Sequence, residues 1–279
     1  MSKLLLFDLD GTLLRSDKTI SAKTLEALGK CREMGYLIGI STSRAIHNCM
    51  TFLPEVTPDL FIASGGAVVR YRGENIYTAE FSAEETRAMI EQARSVCGQD
   101  CELTVDSLNG HYWNYKIDPN KNDATWGDTI YTDFENFTEK ALKFCVQIFD
   151  AGQAERLIGL FSDCDWARFE GGFWYKFTRK DATKEHAIRK ACQLLGIDLA
   201  DVTAFGDDIP DIGMLKLCGM GIAMGNAFDA VKEAADLVIG SNDDDGIAVY
   251  LGSVNQPFLS GSFHHDAPNF PNNLSSVSI

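Results

Sequence analysis

Positive charge is scarce in this chain. Its 279 residues carry 25 Lys and Arg against 40 Asp and Glu, for a net charge of -15. So acidic a surface repels phosphate backbones and anionic headgroups, so neither nucleic acid nor membrane is an expected partner, and an anionic ligand has to be met by a local cationic pocket. Long apolar runs are missing as well. No stretch approaches the roughly 20 residues of a membrane-spanning helix, and the N-terminus passes into strand-like sequence without a signal-peptide pattern, so the expected location is cytoplasmic. The eight cysteines lack the tight spacing of a disulfide framework and read as reduced core residues. Cys97 and Cys101 form one close pair, but no further ligands at motif spacing complete a zinc site. Repeats and low-complexity tracts are absent from the body of the chain. His264 and His265, in a tail rich in Pro, Ser and Asn, have no partners at metal-ligand spacing and read as solvated.

What is present suffices for two cores: 45% of residues are hydrophobic and 10% aromatic, and the length fits two modest domains. Residues 1–70 alternate strand and helix. An apolar run beginning "LLLF" is followed by a helix through "AKTLEALGKCREM" capped by Ser21, a strand "YLIGIST", a short helical piece around "AIHNCMTFL" and a strand "DLFIAS". The same rhythm returns after residue 181, in "DATKEHAIRKACQLLG", "VTAFGDD", "DIGMLKLC", "GMGIAM", "NAFDAVKEAA" and "DLVIG". The two stretches together predict an α/β fold, a doubly wound parallel sheet of the Rossmann-like kind, made from residues 1–81 and 179–252. Residues 82–178 differ. Ser82 and Glu85 form a capping box, and aromatic-rich segments such as "HYWNYKI" and "GGFWYKFTR" surround a second helix at "AERLIGLFSD", which predicts an inserted α+β cap with an antiparallel sheet. Residues 253–279 keep no period and are expected to be a loosely structured tail.

The chemistry begins at "LLLFDLDGTLL". A short apolar run that ends at a turn reads as a strand buried on both faces, and it places Asp8 and Asp10 at its carboxyl end, pointing the same way. Two carboxylates facing one small volume repel. A hard divalent cation such as Mg2+, which prefers oxygen ligands, is the natural candidate to hold them together. Three further pieces fall at the carboxyl ends of predicted strands or beside them: "STSR" at 41–44, Lys184, and "GDDIPD" at 206–211, where open α/β sheets place their ligand crevice. Thr42 and Ser43 offer a hydroxyl and backbone N–H groups suited to an anion. Lys184 stands near the start of a helix, where the dipole opposes a cation, and a bound phosphate explains it.

These four motifs, in this order, resemble the haloacid dehalogenase superfamily of phosphatases. The insert, with "GIAMGNA" and "DDGIA", resembles its Cof-type branch, which carries a type IIB cap. The resemblance implies Mg2+-dependent hydrolysis of a small phosphorylated metabolite, sugar phosphates foremost. It implies Asp8 as the nucleophile that takes up the phosphoryl group and Asp10 as the acid and base. Phosphate contacts fall to Lys184, Thr42, Ser43 and the Leu9 N–H. Metal ligation falls to Asp8, the Asp10 backbone carbonyl and Asp207, with Asp211 orienting them from behind. Pro210 stands where Asn is usual in the family, Gly65 opens "GGA" where Asn-Gly-Ala is usual, and "TSR" replaces the commoner Thr-Gly-Arg, a milder departure that keeps the donors. The same resemblance covers a phosphomutase such as phosphomannomutase, and Pro210 alone favours a metabolite-binding regulator without turnover. In the cap, alternation sets His111, Trp113 and Tyr115 on one face and Tyr112, Asn114 and Lys116 on the other, with one face forming cap core and the other open to substrate. Arg168 is a further cap candidate.

Overall fold

The computed structural model describes residues 3–115, 128–169 and 172–254. The chain opens with β1 (Leu4–Phe7), α1 (Ala22–Glu33), β2 (Leu37–Ser41), α2 (Ile46–Met50) and β3 (Leu60–Ala63), followed by a hairpin of β4 (Val68–Tyr71) and β5 (Glu74–Thr78). The insert holds α3 (Ala83–Cys97), β6 (Leu103–Asp106), β7 (His111–Trp113), β8 (Ile130–Tyr131), β9 (Lys143–Gln147), α4 (Ala151–Leu160), β10 (Cys164–Arg168) and β11 (Trp174–Arg179). The first sheet then resumes through α5 (Lys184–Leu195), β12 (Val202–Gly206), α6 (Ile212–Leu217), β13 (Met220–Ala223), α7 (Asp229–Ala234), β14 (Leu237–Val238) and α8 (Gly246–Val254). Among the described residues no helix is long and apolar enough to cross a membrane.

Eight strands line up as β14-β13-β12-β1-β2-β3-β4-β5, with β14 to β3 mutually parallel. β1 is central, hydrogen-bonded to β12 on one side and β2 on the other. That position explains its unbroken "LLLF". Leu5 and Phe7 enter one core with α1, α2 and α8 residues, while Leu4 and Leu6 enter the other with residues of α5, α6 and α7. Phe7 stacks on Phe205 of β12 at 4.6 Å between centroids, which locks the two strand ends that carry the acidic motifs. The antiparallel β4–β5 hairpin is not among the predicted elements. β5 is an edge strand with no fully buried residue, so it lacks the apolar signal that marks the others.

The second sheet runs β10-β11-β9-β6-β7-β8, antiparallel except where β7 meets β8. α3, with the predicted capping box, and α4 bury Met89, Ile90, Ala93 and Leu157 against Leu103, Val105, Phe144 and Phe177. α4 begins three residues earlier than the predicted "AERLIGLFSD" because Asp150 caps it, accepting the Gln153 N–H. Strand alternation sends the other set of side chains to the opposite face: Asp106 lies directly across from both His111 and Lys143, and Cys145 across from Lys176. This polar face meets the first sheet's strand ends. α8 extends through Val254, two residues into the predicted tail; residues 255–279, with His264 and His265, and Lys116 lie outside the described residues.

Candidate active site

Asp8 is the first residue beyond β1. Its N–H continues the ladder to the Phe205 carbonyl at 2.9 Å, so its side chain emerges where β1 and β12 end, 7% exposed. Gly11 then turns the chain at φ 79°, and a Cβ there would fall 2.3 Å from Asp207 Oδ2. Only glycine serves at that position. Thr12 Oγ1 donates to Asp207 Oδ1 at 2.6 Å, tying the two acidic loops together. One carboxylate oxygen from each of Asp8, Asp207 and Asp211 lies within 4.8 Å of the others.

Lys184 is the first residue of α5, whose cap Thr183 accepts the His186 N–H. The helix end comes close because residue 66 is glycine, at φ 108°; a Cβ there would meet the Thr183 carbonyl oxygen at 2.2 Å. Lys184 Nζ donates to Asp8 Oδ1 and to Asp211 Oδ1, both at 2.6 Å. The second Asp211 oxygen accepts the N–H groups of Asp207 and Asp208, each at 3.1 Å. Asp211 therefore holds both the lysine and the loop that presents Asp207. Burial pushes the Asp8 carboxyl well above its ordinary value, against the pull of Lys184, with Asp211 and Asp207 adding to the rise. Burial also disfavours the Lys184 ammonium, but Asp211 and Asp8 outweigh it and hold its value high. Asp207 is pushed up to about 6 by burial, with Asp211 and Asp208 adding to the rise. Three buried or half-buried carboxylates share one ammonium. An all-oxygen set with surplus negative charge fits Mg2+.

Asp10 faces a different surrounding. Arg44 Nε donates to its Oδ2 at 2.5 Å and an Arg44 terminal nitrogen to its Oδ1 at 2.9 Å, while Lys18 Nζ reaches Oδ1 at 2.7 Å. Burial would raise this carboxyl, but Arg44 and Lys18 together hold it below its ordinary value. Arg44 closes the "STSR" motif; Lys18, in the loop after "DGT", carries no motif signal. The Thr42 N–H donates to the Ile62 carbonyl at 2.9 Å, which corrects the expectation that this amide is available to an anion: the β2 ladder to β3 continues one residue past the strand. Among the described residues the N–H groups of Leu9 and Ser43 make no hydrogen bond. Thr42 Oγ1 accepts the Arg44 N–H at 3.1 Å.

The cap closes this cleft, whose volume is about 330 Å³, with Asp106, His111, Lys143 and Phe169. Asp106 is fully buried. It accepts from His111 Nδ1 and Lys143 Nζ, each at 2.7 Å, and from Ser64 Oγ at 2.9 Å. Lys143 Nζ also donates to the Ser43 carbonyl at 2.8 Å. Two of these bonds, to Ser64 and Ser43, join cap to core. Burial disfavours the Asp106 carboxylate, but Lys143 and His111 hold its carboxyl far below the ordinary range. The pairing of Asp106 with Lys143 was not visible in the sequence, where 37 residues separate two unremarkable charges. Alternation placed His111 correctly on one face with Trp113, and that face is the open one. Tyr112 packs edge-on against Phe137 in the cap core. Asn114 is buried, accepting the Leu103 N–H and donating to the Cys101 carbonyl. Trp113 stacks on Tyr115 at 4.7 Å. Arg168 does not line the cleft; its Nε donates to the Gly172 carbonyl.

Residues 5–251 match the model of a family described as haloacid dehalogenase-like hydrolase. The chain is 28% identical over 276 residues to the pyridoxal phosphate phosphatase YbhA of Escherichia coli, covering 90% of this chain and 98% of that one. It is 26% identical over 256 residues to the putative phosphatase YkrA of Bacillus subtilis, covering 88% and 95%. A solved structure described as the subclass IIB sugar phosphatase BT4131 superposes with a TM-score of 0.73 at 25% identity, over 91% of this chain and 99% of that one.

Proposed function

We propose that this chain, which belongs to the haloacid dehalogenase-like hydrolase family, hydrolyses small phosphate monoesters with Mg2+ through a phosphoryl group carried on Asp8. Its class is that of a phosphoric monoester hydrolase. The observation that carries the finer reading is the Lys184 bridge between Asp8 and Asp211 beside Asp207. A binder gains little from clustered buried carboxylates, which cost stability. A nucleophile held in line by an ammonium needs them.

Asp8 Oδ attacks phosphorus and the bond to the leaving oxygen breaks, the departing alkoxide taking a proton from Asp10. Water then attacks the phosphoryl group, Asp10 takes its proton, and the phosphorus–Asp8 bond breaks to free orthophosphate. Lys184 and the N–H groups of Leu9 and Ser43 hold the phosphoryl oxygens. Asp8, Asp207 and the Asp10 carbonyl would hold Mg2+, which supplies charge neutralisation at those oxygens when bound. Sugar phosphates are the favoured esters: the cleft is small and its cap wall polar. A hydrolysis screen across phosphate esters with Mg2+ tests the reading, and Asp8→Asn, nearly the same shape but unable to attack, removes turnover without unfolding the protein. Turnover near that of the wild type in Asp8→Asn refutes the covalent route.

A further inference from the structure

A second chamber, of about 320 Å³, adjoins the cleft and shares Ser43, Lys184 and Pro210 with it. Gly65, Trp166, Lys176 and Ile209 complete its main walls. Lys176 comes from the open face of the cap sheet, opposite Cys145, and its Nζ lies 3.6 Å from where a Cβ on Gly65 would stand. It is half-buried, and among the described residues it makes neither a hydrogen bond nor an ion pair. None of the other charges that line the chamber bonds to Lys176. Lys184 is committed to Asp8 and Asp211. The Glu185 carboxylate presses against Gly213, and Asp165 is exposed at the rim. Burial, with Lys143 and Lys184 nearby, outweighs the pull of exposed Asp165 and holds the Lys176 ammonium below its ordinary value, a strain that an anion in the chamber would relieve. Gly65 and Pro210 both line this chamber.

We propose that this chamber is a subsite for a second anionic group on the substrate, held by Lys176, so that the preferred esters carry a carboxylate or a further phosphate besides the phosphoryl group that is cleaved. The inference rests on the phosphatase reading of the neighbouring site. The chemistry follows from what the chamber offers: a partly desolvated ammonium with no partner among the described residues, beside the anion site, in a space flanked by Trp166, Ile209 and Pro210. A neutral polyol leaves that charge unpaired. A carboxylate or phosphate pairs it.

The test uses the full-length protein with Mg2+ and three probes: glucose phosphate, phosphogluconate and glucose bisphosphate. The readout is kcat/KM for each anionic probe divided by that for glucose phosphate. Wild-type protein should show a ratio well above one for at least one anionic probe, and whichever it is identifies the group as carboxylate or phosphate. A charge-assisted bond of this kind is worth about ten- to hundredfold, so Lys176→Met should lower the ratio by that amount, chiefly through KM, and Lys176→Arg should keep most of it. Gly65→Asn supplies an independent variant, since Asn tolerates the φ of 73° at this position and fills the space before Nζ without altering charge. It too should lower the ratio. Ratios near one for both anionic probes in the wild type overturn the inference. So does an equal loss on all three probes in Lys176→Met, which would put Lys176 on the transferred phosphoryl group itself. Absence of turnover on every ester overturns the phosphatase reading, and this inference with it.

Discussion

Lys143→Met removes the cation from the buried layer that fastens cap to core. Asp106 is left fully buried with only His111 and Ser64 as partners, and the Lys143 bond to the Ser43 carbonyl is lost as well. Breaking a buried pair on one side leaves an uncompensated charge at a cost of about 3 to 5 kcal/mol; because His111 still donates, the lower end applies. Asp106→Asn combined with Lys143→Met removes both charges, and the double variant should be less destabilised than the sum of the singles by about 1 to 3 kcal/mol. The pH dependence gives a second handle. Lys143 and His111 depress the native carboxyl of Asp106 against the effect of burial, so the stability it contributes is present above the unfolded value of about 3.9 and is lost as pH falls toward the depressed native one. The deficit of Lys143→Met should therefore be full at about pH 7 and shrink below about pH 4. All four tryptophans, at 113, 126, 166 and 174, lie in the insert, so their fluorescence in a urea titration reports the cap directly. A loss below about 1 kcal/mol at neutral pH, or one that does not change on acidification, would refute the argument.

Mg2+ binding should be coupled to a proton. Asp207 is pushed up to about 6 by burial, with Asp211 and Asp208 adding to the rise, so below that pH the metal must displace its proton, and the half-saturating Mg2+ concentration should fall by about tenfold per pH unit and then level off. Activity titrated with Mg2+ at a series of pH values measures this; a flat requirement across the acidic range contradicts it. Pro210→Asn adds a side-chain donor to the cleft that Lys184 also lines, and its KM for a plain monoester should fall by up to about tenfold. The proline's loss should cost no more than about 1 kcal/mol, read as a small drop in Tm, while an unchanged or higher KM would show that no phosphate oxygen comes within reach of residue 210.

The parts of the fold legible in the sequence are those whose signal is local. "LLLF" announces a doubly covered strand, and Ser82 and Glu85 announce a helix start because the cap bonds run between neighbours. Asp8 and Asp207 were legible for a different reason: each stands just past a strand, and the topology of a parallel sheet brings neighbouring strand ends together whatever the loops contain, whereas Lys184, which opens α5, was legible through the resemblance. What stayed hidden depends on tertiary pairing. The face of "HYWNYK" that looks inward is set by the register of β7 on β6, where Asp106 meets His111, and nothing within the segment fixes that register. Lys18 and Lys143 look like any solvated lysine until the fold sets each 2.7 Å from a carboxylate. Strand β5 of the hairpin escaped because an exposed edge strand needs no apolar face.

Asp10 is where the electrostatics and the proposed chemistry pull in opposite directions, and the geometry offers a way to reconcile them. An acid must hold a proton at neutral pH, yet Arg44 and Lys18 stabilise the carboxylate, which suits only the half-reaction that takes a proton from water. Both cations also line the cleft, so they lie within the field of any phosphate ester that enters. A phosphoryl dianion is a stronger competitor for a guanidinium than a single carboxylate is. Were Arg44 and Lys18 to turn toward the substrate, Asp10 would lose what holds its pKa low and keep the burial that raises it. Substrate binding would then supply the proton affinity that the first half-reaction requires. Having given its proton to the leaving group, Asp10 would stand as the carboxylate that the attacking water needs, with Arg44 and Lys18 beside it to stabilise that state. On this proposal one carboxylate would serve as acid and then base because substrate binding draws away the cations that otherwise keep it ionised.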